Sequence, residues 1–415
     1  MKTLAIVSSY NESCGNASYT EVLRKEFSKY FKVDILPLQL DLLLSNNPKI
    51  VKMGNLHIDE MAQKLKKYDY VNIQFEAGLY GSCRKNICKR VKKLIEASDN
   101  IILTMHRVDL ADSLWSLKNV ARIFSNRHIL KNLNGIRGSV YFQGLYEEGV
   151  DVMKKHSKNH NANIIVHTKR DKKNIERIFG FKNVYDFPLT FLNEQERTRE
   201  RSSRERKEFI EKYNFYENDK IIGLFGFVNE YKGHETAIKA LRFLPHQYKI
   251  IIFGSQHPMS INLYSPVDPY IRRLMNVIEG EEDNNNKSKK KESVDLTQRV
   301  VFAGNLNDSD FIDALYCCDY AVLPYMEVNQ SGSGIASLVL ETKIKSFYSN
   351  NKAFAELNKY FPDTFERFDI GNYIELADKI RNYKHDYSTQ IDKCLETYNI
   401  ENNIRFHINI FEGNI

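Results

Sequence analysis

Short apolar segments alternate with helix-like patterns along this chain, and this alternation limits its possible folds more than any other feature. Each apolar segment is four to six residues long. Such an order is the signature of βα units and a parallel sheet, so we predict an α/β fold. The predicted strands are residues 4–8, 32–35, 70–74, 101–104, 163–166, 221–225, 248–253, 299–302 and 320–323, and helices are predicted in the first half near residues 19–31, 84–96 and 172–179.

The chain is long enough for two domains, because its 415 residues, 42% of them hydrophobic, supply apolar material for two cores. Residues 194–207 are nearly all charged, Ser or Thr, which predicts an exposed linker or the solvated start of a helix. We therefore place an N-terminal domain at residues 1–195 and a C-terminal domain at 196–395, and we expect residues 396–415 to form a helix that packs back towards the first. The polar stretch 279–293 cannot bury a core and is predicted to be a disordered loop.

Several classes of protein are disfavoured by the sequence. No run approaches the roughly 20 apolar residues that span a bilayer, and residues 1–10 turn polar too soon for a secretory signal, so we expect a cytoplasmic protein. The six cysteines form no CxxC pair and have no histidine at zinc-ligand spacing. We therefore expect reduced thiols that mostly serve packing.

Positive charge is concentrated in residues 84–93. The formal net charge is +7, and this segment holds Arg84, Lys85, Lys89, Arg90, Lys92 and Lys93. On a helix its four lysines share one face, which is either a solvated outer surface or a peripheral contact with anionic lipid headgroups at the inner face of a membrane. Nucleic acid is disfavoured, because aromatic residues are not interleaved with the basic ones and no binding motif is present.

The segment 321–341 has the order of a buried strand, a turn of small residues and a helix. The turn consists of Gln330, Ser331, Gly332, Ser333 and Gly334. A glycine-rich turn that opens a helix brings backbone N–H groups and the positive end of the helix dipole close to an anion, most naturally a phosphate or diphosphate. A tight turn without a ligand is the alternative.

Glu341 lies about two turns further along the same predicted helix. From there its carboxylate can accept hydrogen bonds from hydroxyls such as those of a ribose, as an acidic residue does in dinucleotide sites.

A second unit of strand, glycine, loop and helix lies upstream. An apolar strand is followed by Gly226, by Lys232 and Gly233, and then by a helix-like segment from His234. A lysine at the start of a helix is unfavourable for the helix dipole unless an anion is bound there, so Lys232 is a candidate partner for a diphosphate. The alternative is a solvated surface lysine.

Polar side chains are also predicted at strand ends in the first half, where a parallel sheet binds its ligands. His106 follows an apolar strand and is close in sequence to Arg107 and Asp109, and we favour an active-site role for it over a structural one. Glu76 follows another strand and is a similar candidate. His167, which closes a third strand, is interpreted as structural.

Together these residues resemble one family. The elements from Ile221 to Glu341, with Gly226, Lys232 and Gly304 among them, look like the donor half of the group-1 (family 4) glycosyltransferases. The resemblance implies the GT-B architecture, in which two Rossmann-like parallel-sheet domains face each other across a cleft. It implies that the C-terminal domain holds a nucleotide-sugar donor and that the N-terminal domain holds most of the acceptor. It also implies no metal and no cofactor, because protein groups neutralise the leaving diphosphate in this family.

The resemblance assigns roles to particular residues of the C-terminal half. Lys232 matches the lysine that grips the diphosphate, and Glu341 matches the second glutamate of a pair, which holds the ribose. The turn from Gln330 to Gly334, through Ser331 and Gly332, looks like a family variant whose backbone contacts the phosphates.

In the N-terminal half, Gly15 lies in a loop that resembles the family's glycine-containing loop near the donor phosphates and the acceptor, and it is the expected pivot. His106 resembles the histidine beside the donor sugar, and Glu76 is the candidate on the acceptor side.

The sequence departs from the family at three places. Phe227 stands where the family has an arginine, and Ser333 stands where it has the first glutamate, so that Glu327 is the carboxylate that would have to replace it beside the sugar. After Glu341, residues 343–351 are shorter and more polar than the family's turn and strand. We therefore expect a weakened sheet edge there.

The implied activity is a hexosyl transfer with retention of configuration, from a UDP or GDP sugar to a glycan or lipid-linked acceptor, as in polysaccharide biosynthesis. Lys232 and the turn would stabilise charge on the departing nucleoside diphosphate, and His106 would orient the sugar, with Glu327 and Ser333 beside it. A glycoside hydrolase is disfavoured, because no carboxylate pair at glycosidase spacing can be argued.

Two alternatives stay open. One is a nucleotide-sugar epimerase or a phosphorylase of the same architecture. The other is a degenerate protein that binds a glycan or a partner glycosyltransferase without catalysis, and Phe227, Ser333 and the altered segment after Glu341 favour it.

Overall fold

The protein contains two six-stranded sheets, and all the strand pairs within them are parallel. The computed structural model describes residues 1–12, 14–109, 144–199, 202–256, 267–280, 294–328 and 330–415. Two compact units divide the chain, residues 1–189 with 398–415 and residues 190–397. The predicted α/β class is confirmed. Residues 281–293 of the predicted disordered loop lie outside the described residues.

The first sheet has the strand order β2-β1-β3-β4-β5-β6. Its strands are β1 (Thr3–Ser8), β2 (Lys32–Pro37), β3 (Tyr70–Phe75), β4 (Asn100–Met105), β5 (Asn161–Val166) and β6 (Val184–Asp186). The longer helices of this unit are Gly15–Phe27, Pro48–Leu65, Arg84–Ile95, residues 144–156, Lys169–Asn174 and Ile400–Glu412.

The central strands of the first sheet are buried on both faces, as expected of parallel strands covered by helices. One face of β3 packs Val71, Ile73 and Phe75 into the main apolar core. The other face carries Asn72 and Gln74, which are fully buried although they are polar. These two side chains become important at the end of the strand.

The chain returns to the first unit at its C-terminus. Helix Ile400–Glu412 begins at the N-cap Asn399, whose side chain accepts a hydrogen bond from the Asn402 N–H. The amides of Asn100 and Asn161 donate to the carbonyl of Phe411 at 2.9 and 3.0 Å, and therefore tie the end of this helix to the starts of β4 and β5.

The second sheet has the order β12-β11-β10-β7-β8-β9. Its strands are β7 (Lys220–Phe225), β8 (Tyr248–Phe253), β9 (Val300–Gly304), β10 (Tyr320–Leu323), β11 (Lys345–Ser349) and β12 (Glu366–Phe368). The helices of this unit include Glu194–Arg197, Ser203–Lys212, His234–Ala240, Pro269–Glu279, Asp308–Cys317, Gly334–Glu341, Lys352–Leu357, Tyr373–Arg381 and Ser388–Leu395.

The expected weak edge after Glu341 was wrong. Strand β11 pairs in parallel with β10 on one side and β12 on the other, and Phe347 and Tyr348 are fully buried. The buried Ser349 is accommodated because its Oγ donates to the carbonyl of Tyr325 at 2.6 Å. A polar composition therefore does not indicate a weak strand here.

The charged segment 194–207 forms parts of two short helices. Asn193 and Ser202 each close a capping box, in which the cap accepts from the backbone three residues on and the glutamate there reaches back. This charged segment therefore contains the starts of two helices.

Three further properties concern the predicted protein class. All six cysteines are free thiols, and they range from the buried Cys317 and Cys318 to the exposed Cys83. Within the described ranges, no helix is both long and apolar enough to cross a membrane. The same residues contain no cluster of three or more His, Cys, Asp or Glu side chains that could hold a metal ion.

Candidate functional site

The switch point of the second sheet lies between β7 and β10. These strands are neighbours, with Tyr320 opposite Ile222, yet the chain proceeds from β7 to β8 on one side and from β10 to β11 on the other. Loops leaving the carboxyl ends of such strands diverge, and the space between them is the usual ligand position in open α/β sheets. The loops here are residues 226–233 and 324–333, of which Asn329 lies outside the described residues.

Two glycines allow these loops to approach each other. Gly233 has φ +66°, and a Cβ at this position would lie 2.0 Å from the carbonyl oxygen of Pro324. Gly226 has φ +98°, and its Cβ would lie 2.4 Å from the Cδ1 of Ile335. A side chain at Gly233 would therefore push the loops apart, and at Gly226 the positive φ itself favours glycine.

Lys232 is buried between the loops, with 5% of its surface exposed. Its Nζ donates to the hydroxyl of Tyr325 at 2.5 Å and lies 3.9 Å from the centre of that ring and 5.2 Å from the ring of Tyr231. Burial lowers the pKa of Lys232 to about 7. No described carboxylate forms an ion pair with it. The alternative of a solvated surface lysine was therefore wrong.

The turn before helix Gly334–Glu341 is held by its own side chains. Ser333 is the N-cap, and its Oγ accepts from the N–H of Ala336 at 3.3 Å and lies 3.5 Å from the hydroxyl of Tyr325. The amide of Gln330 donates to the carbonyl of Gly332, while Ser331 is buried. Tyr325 therefore links Lys232 to the positive end of this helix.

Glu341 lies at the other end of the helix and is 1% exposed. Its carboxylate accepts from the backbone N–H of Phe191 at 3.0 and 3.1 Å and from that of Leu192 at 2.7 Å. The ring of Phe191 covers Gly334, where a Cβ would lie 2.8 Å from the ring. In this structure the Glu341 carboxylate thus holds the backbone of Phe191 and Leu192 against the helix. Its role towards a ribose stays a prediction.

Glu327 is exposed, and its Oε2 accepts from the N–H of Lys352 at 2.9 Å. Lys352 is the first residue of helix Lys352–Leu357, so the carboxylate lies at the favourable end of that helix. The position beside a sugar that the resemblance suggested for Glu327 stays a prediction.

Phe227 is half-buried and offers no cationic group. The two loops contain no Lys or Arg other than Lys232. The cationic charge that these loops can offer to an anion therefore comes from one side chain.

The first unit presents a different set of groups at its strand ends. His106 directly follows β4, and its Nε2 lies 2.7 Å from the Oε1 of Gln74. Its ring centre lies 5.0 Å from that of His167, which follows β5, and 5.8 Å from that of Tyr19. Burial, together with His167, lowers the pKa of His106 well below its ordinary value of 6.5. The imidazole is therefore neutral at pH 7.

Glu76 directly follows β3. Burial raises its pKa to about 7, while Arg107 lowers it and Asp109 raises it. The Arg107 guanidinium is itself held by the Asp109 carboxylate at 2.6 Å, so its charge is shared. At neutral pH the carboxyl group of Glu76 is therefore partly protonated.

Gly15 is the first residue of helix Gly15–Phe27 and is exposed. A Cβ at this position would meet no atom within 4 Å, and the residue does not have a left-handed φ. The backbone here therefore places no steric demand for glycine, and the predicted ligand contact of Gly15 stays a prediction.

Sequence reasoning missed Tyr325, Tyr231 and Gln74. Tyr325 lies two residues beyond the end of β10, so its position at a strand end was a usable signal. Its contact with Lys232 left no usable signal in the sequence, because the two residues are 93 positions apart.

The class of fold can now be stated. Residues 205–341, about a third of the chain, match the model of a family described as glycosyl transferases group 1, and this stretch contains both loops of the switch-point site. The two six-stranded parallel sheets match solved structures of GT-B glycosyltransferases over the whole chain. The protein therefore has the GT-B fold.

Several solved structures are similar to this chain. Sucrose-phosphate synthase from Thermosynechococcus elongatus is 13% identical, with 100% of this chain and 99% of the other covered and a TM-score of 0.65. HepE from Anabaena in complex with UDP is 13% identical, with both chains fully covered and a TM-score of 0.61. A glycosyltransferase from Rickettsia africae is 14% identical, with 99% and 98% covered and a TM-score of 0.63. A search of curated proteins found no match.

Proposed function

We propose that this protein is a glycosyltransferase that takes its sugar from a nucleoside-diphosphate donor bound by the second unit. The observation that carries the proposal is Lys232, a buried cation with no described carboxylate partner, at the switch point of the sheet and linked through Tyr325 to the start of helix Gly334–Glu341. The match of residues 205–341 to the group-1 family supports it, because both loops lie in that range.

The charge balance of this site favours a diphosphate. Keeping a buried ammonium group charged is unfavourable, and this is why the pKa of Lys232 is depressed. A bound diphosphate would supply the missing negative charge, so the pKa of Lys232 should rise when it binds. During transfer, more negative charge develops on the same oxygens, and a cation already in place stabilises it without rearrangement.

The base and the sugar are proposed by analogy. HepE has been solved with UDP and with UDP-glucose, which makes a UDP sugar the first donor to test, with a GDP sugar second. Transfer of a hexosyl group with retention of configuration follows from the resemblance to family 4. A donor site without metal follows from it as well, with Lys232 and backbone N–H groups in place of an ion.

For the acceptor we propose a glycan or a lipid-linked saccharide, as in polysaccharide biosynthesis, with Glu76 as the contributing group of the first unit, while His106 would orient the donor sugar. We also propose that the protein lies in the cytoplasm and contacts the inner face of a membrane through residues 84–93. Lys85 and Lys89 of this helix are exposed, whereas Lys93 pairs with Asp59 and Lys92 with Glu96 at 3.7 Å. The paired charges reduce the attraction to anionic lipid, so the contact would be weak.

A second candidate is a protein of this fold that binds a glycan or a partner glycosyltransferase without catalysis. Phe227 removes one cation from the donor loops, and Ser333 offers a capping hydroxyl where the family has a carboxylate. The missing carboxylate affects a reacting sugar more than a bound diphosphate, whereas the missing cation weakens both diphosphate binding and the stabilisation of charge that develops during transfer.

Two measurements, made one after the other, test the proposal. Thermal shift with UDP, GDP, ADP and their sugars identifies the base, and Glu341→Ala in the same assay tests whether this end of the helix contributes. Release of nucleoside diphosphate is then followed with the matching sugar and a panel of glycan and lipid-linked acceptors.

An enzyme releases nucleoside diphosphate in the presence of an acceptor, and Lys232→Met abolishes the release. Binding without release, for every acceptor, supports the binding protein. Absence of any nucleotide-dependent shift contradicts the glycosyltransferase and favours a protein that binds a glycan or a partner glycosyltransferase.

A further inference from the structure

A chain of buried polar side chains leads along the first sheet to His106. Asn72 and Gln74 lie on the same face of β3, two residues apart, and Thr104 lies beside Gln74 on β4. All three side chains are fully buried. Such groups are unfavourable in an apolar interior unless each is hydrogen-bonded, so their presence at the carboxyl end of the sheet requires a reason.

The hydrogen bonds of this chain run in one direction. The amide N–H of Asn72 donates to Thr104 Oγ1 at 3.3 Å, and the amide N–H of Gln74 donates to Asn72 Oδ1. The remaining polar atom of the Gln74 side chain, Oε1, can only accept. It lies 2.7 Å from Nε2 of His106, and with this orientation of the two amides the ring nitrogen is the donor.

The backbone around this chain is equally fixed. The Tyr80 hydroxyl donates to the carbonyl of Gln74 at 2.8 Å, and the N–H of His106 donates to the carbonyl of Phe75 at 3.2 Å. Gln74 and His106 are therefore held in place at both their side chains and their main chains.

We propose that Gln74 is a positioning residue that, with Asn72 and Thr104, holds His106 as the neutral tautomer protonated on Nε2. His106 Nδ1 is then a hydrogen-bond acceptor, and it has no partner among the described residues. It is suited to a ligand group that donates, such as a sugar hydroxyl, and not to an anion. The identity of this ligand rests on the proposed function, whereas the tautomer does not.

The tautomer can be measured directly on the full chain labelled with ¹⁵N-histidine. Long-range ¹H–¹⁵N spectra distinguish a protonated from an unprotonated ring nitrogen, and His106→Asn assigns the signals. We expect Nε2 protonated and Nδ1 unprotonated at pH 7. A wild-type protein with the proton on Nδ1 would overturn the proposal, because the chain of amides would then run in the opposite direction.

Two substitutions sharpen the test. Gln74→Met removes the acceptor at similar volume and should convert the single tautomer into a mixture. Gln74→Glu supplies a carboxylate instead and should raise the pKa of His106 by roughly one to three units, because the imidazolium gains an opposite charge. The exposed Gln63→Met is the matched control. His156, whose Nε2 lies 2.7 Å from the carbonyl of Ser98, should be unchanged in all variants.

A folded Gln74→Met protein with an unchanged tautomer would contradict the positioning role. If Gln74→Met does not fold, the wild-type spectrum and the titration of Gln74→Glu decide the question alone.

In a sugar-transfer assay, Gln74→Met should lower kcat roughly tenfold to a hundredfold and change the donor KM less than threefold. If the wild-type protein transfers no sugar, the proposed function fails while the tautomer measurement still stands or falls by itself.

Discussion

The two sheets of this protein have the same number of strands and the same parallel pairing, but their strand ends carry opposite kinds of chemistry. In the first, the ends of β3, β4 and β5 carry Glu76, His106 and His167, and in each case burial shifts the pKa towards the neutral form. In the second, the ends of β7 and β10 carry glycines, small residues and one buried cation, Lys232. The strand ends of one sheet therefore carry titratable groups shifted towards their neutral forms, and those of the other carry a buried lysine among small residues.

The difference follows from what each set of groups can stabilise. Neutral imidazole and carboxyl groups exchange hydrogen bonds with hydroxyls but do little for a diphosphate. A lysine beside a helix N-terminus does the reverse, because both attract negative charge.

The largest effect is expected for Lys232→Met. Loss of a buried, charged hydrogen-bond donor should weaken UDP binding about a hundredfold or more, which corresponds to about 3 kcal/mol. The same change should stabilise the unliganded protein, because it removes a buried charge that lacks a partner. Calorimetric titration and chemical unfolding measure the two effects.

Lys239→Met, in the next helix, is the control. Lys239 pairs with Glu235 at 2.7 Å and is partly exposed, so its loss should leave UDP affinity within about twofold and stability within about 0.5 kcal/mol. Equal effects of the two substitutions would show that Lys232 is an ordinary structural lysine.

Glu341→Gln should destabilise the second unit by about 2 kcal/mol, because an amide nitrogen would face backbone N–H groups that now donate to a carboxylate. Glu327→Gln should cost less than 1 kcal/mol, since Glu327 is exposed to solvent where it accepts from the N–H of Lys352. Urea unfolding of both variants measures the contrast. Similar losses would mean that the contacts to Phe191 and Leu192 contribute little.

Acid should weaken the first sheet. Burial lowers the pKa of His167 and of His407 to about 4, from ordinary values of 6.5. Between these values the unfolded chain binds more protons than the folded one, so stability is present above pH 6.5 and is lost as the pH falls towards 4. The loss should reach about 2 kcal/mol per histidine.

Hydrogen exchange of β4 and β5 against β7 and β8, at pH 6.5 and pH 4.5, detects this loss. The second unit has its own buried histidine, His234, whose pKa is lowered to about 3, so some weakening is expected there too. His167→Gln should reduce the pH dependence of the first sheet. An unchanged dependence would remove His167 as a cause.

The effect of Glu76→Gln is expected to have the opposite pH dependence. The pKa of Glu76 is raised to about 7, so the folded state holds its proton more tightly than the unfolded chain, and stability is lost as the pH rises from about 4.5 through 7. The substitution should stabilise the protein by about 2 kcal/mol at pH 8 and hardly at all at pH 4. Melting temperatures of the variant and of the exposed Glu96→Gln, compared at both pH values, test this.

The fold class was predictable because short, mostly apolar strands alternate with helical patterns along the chain. Strands β6 and β12 were not predicted, since each has three residues and leaves no periodic pattern. Strand β11 was missed for another reason. Its serines are polar in the sequence but buried in the structure, and Ser349 is satisfied by the carbonyl of Tyr325.

The candidate site was predictable only in part. The glycines and Lys232 stood out because a turn and a helix start place local demands on the chain. The burial of Lys232 could not be predicted, because it depends on Tyr325, which lies far away in the sequence. For the same reason the link from Gln74 to His106 could not be predicted, since it joins two strands. The ligand roles of these residues stay predictions.

Proton uptake on UDP binding distinguishes a diphosphate site at Lys232 from a lysine that only supports the fold. UDP is titrated calorimetrically at pH 7.5 in buffers of different ionisation enthalpy. If Lys232 has a pKa of about 7 when free and a higher one when bound, UDP binding takes up a fraction of a proton, and affinity falls as the pH rises from 7 to 9. Lys232→Met should lose both the uptake and most of the affinity. UDP binding with no proton uptake, and equally tight in Lys232→Met, would contradict the account.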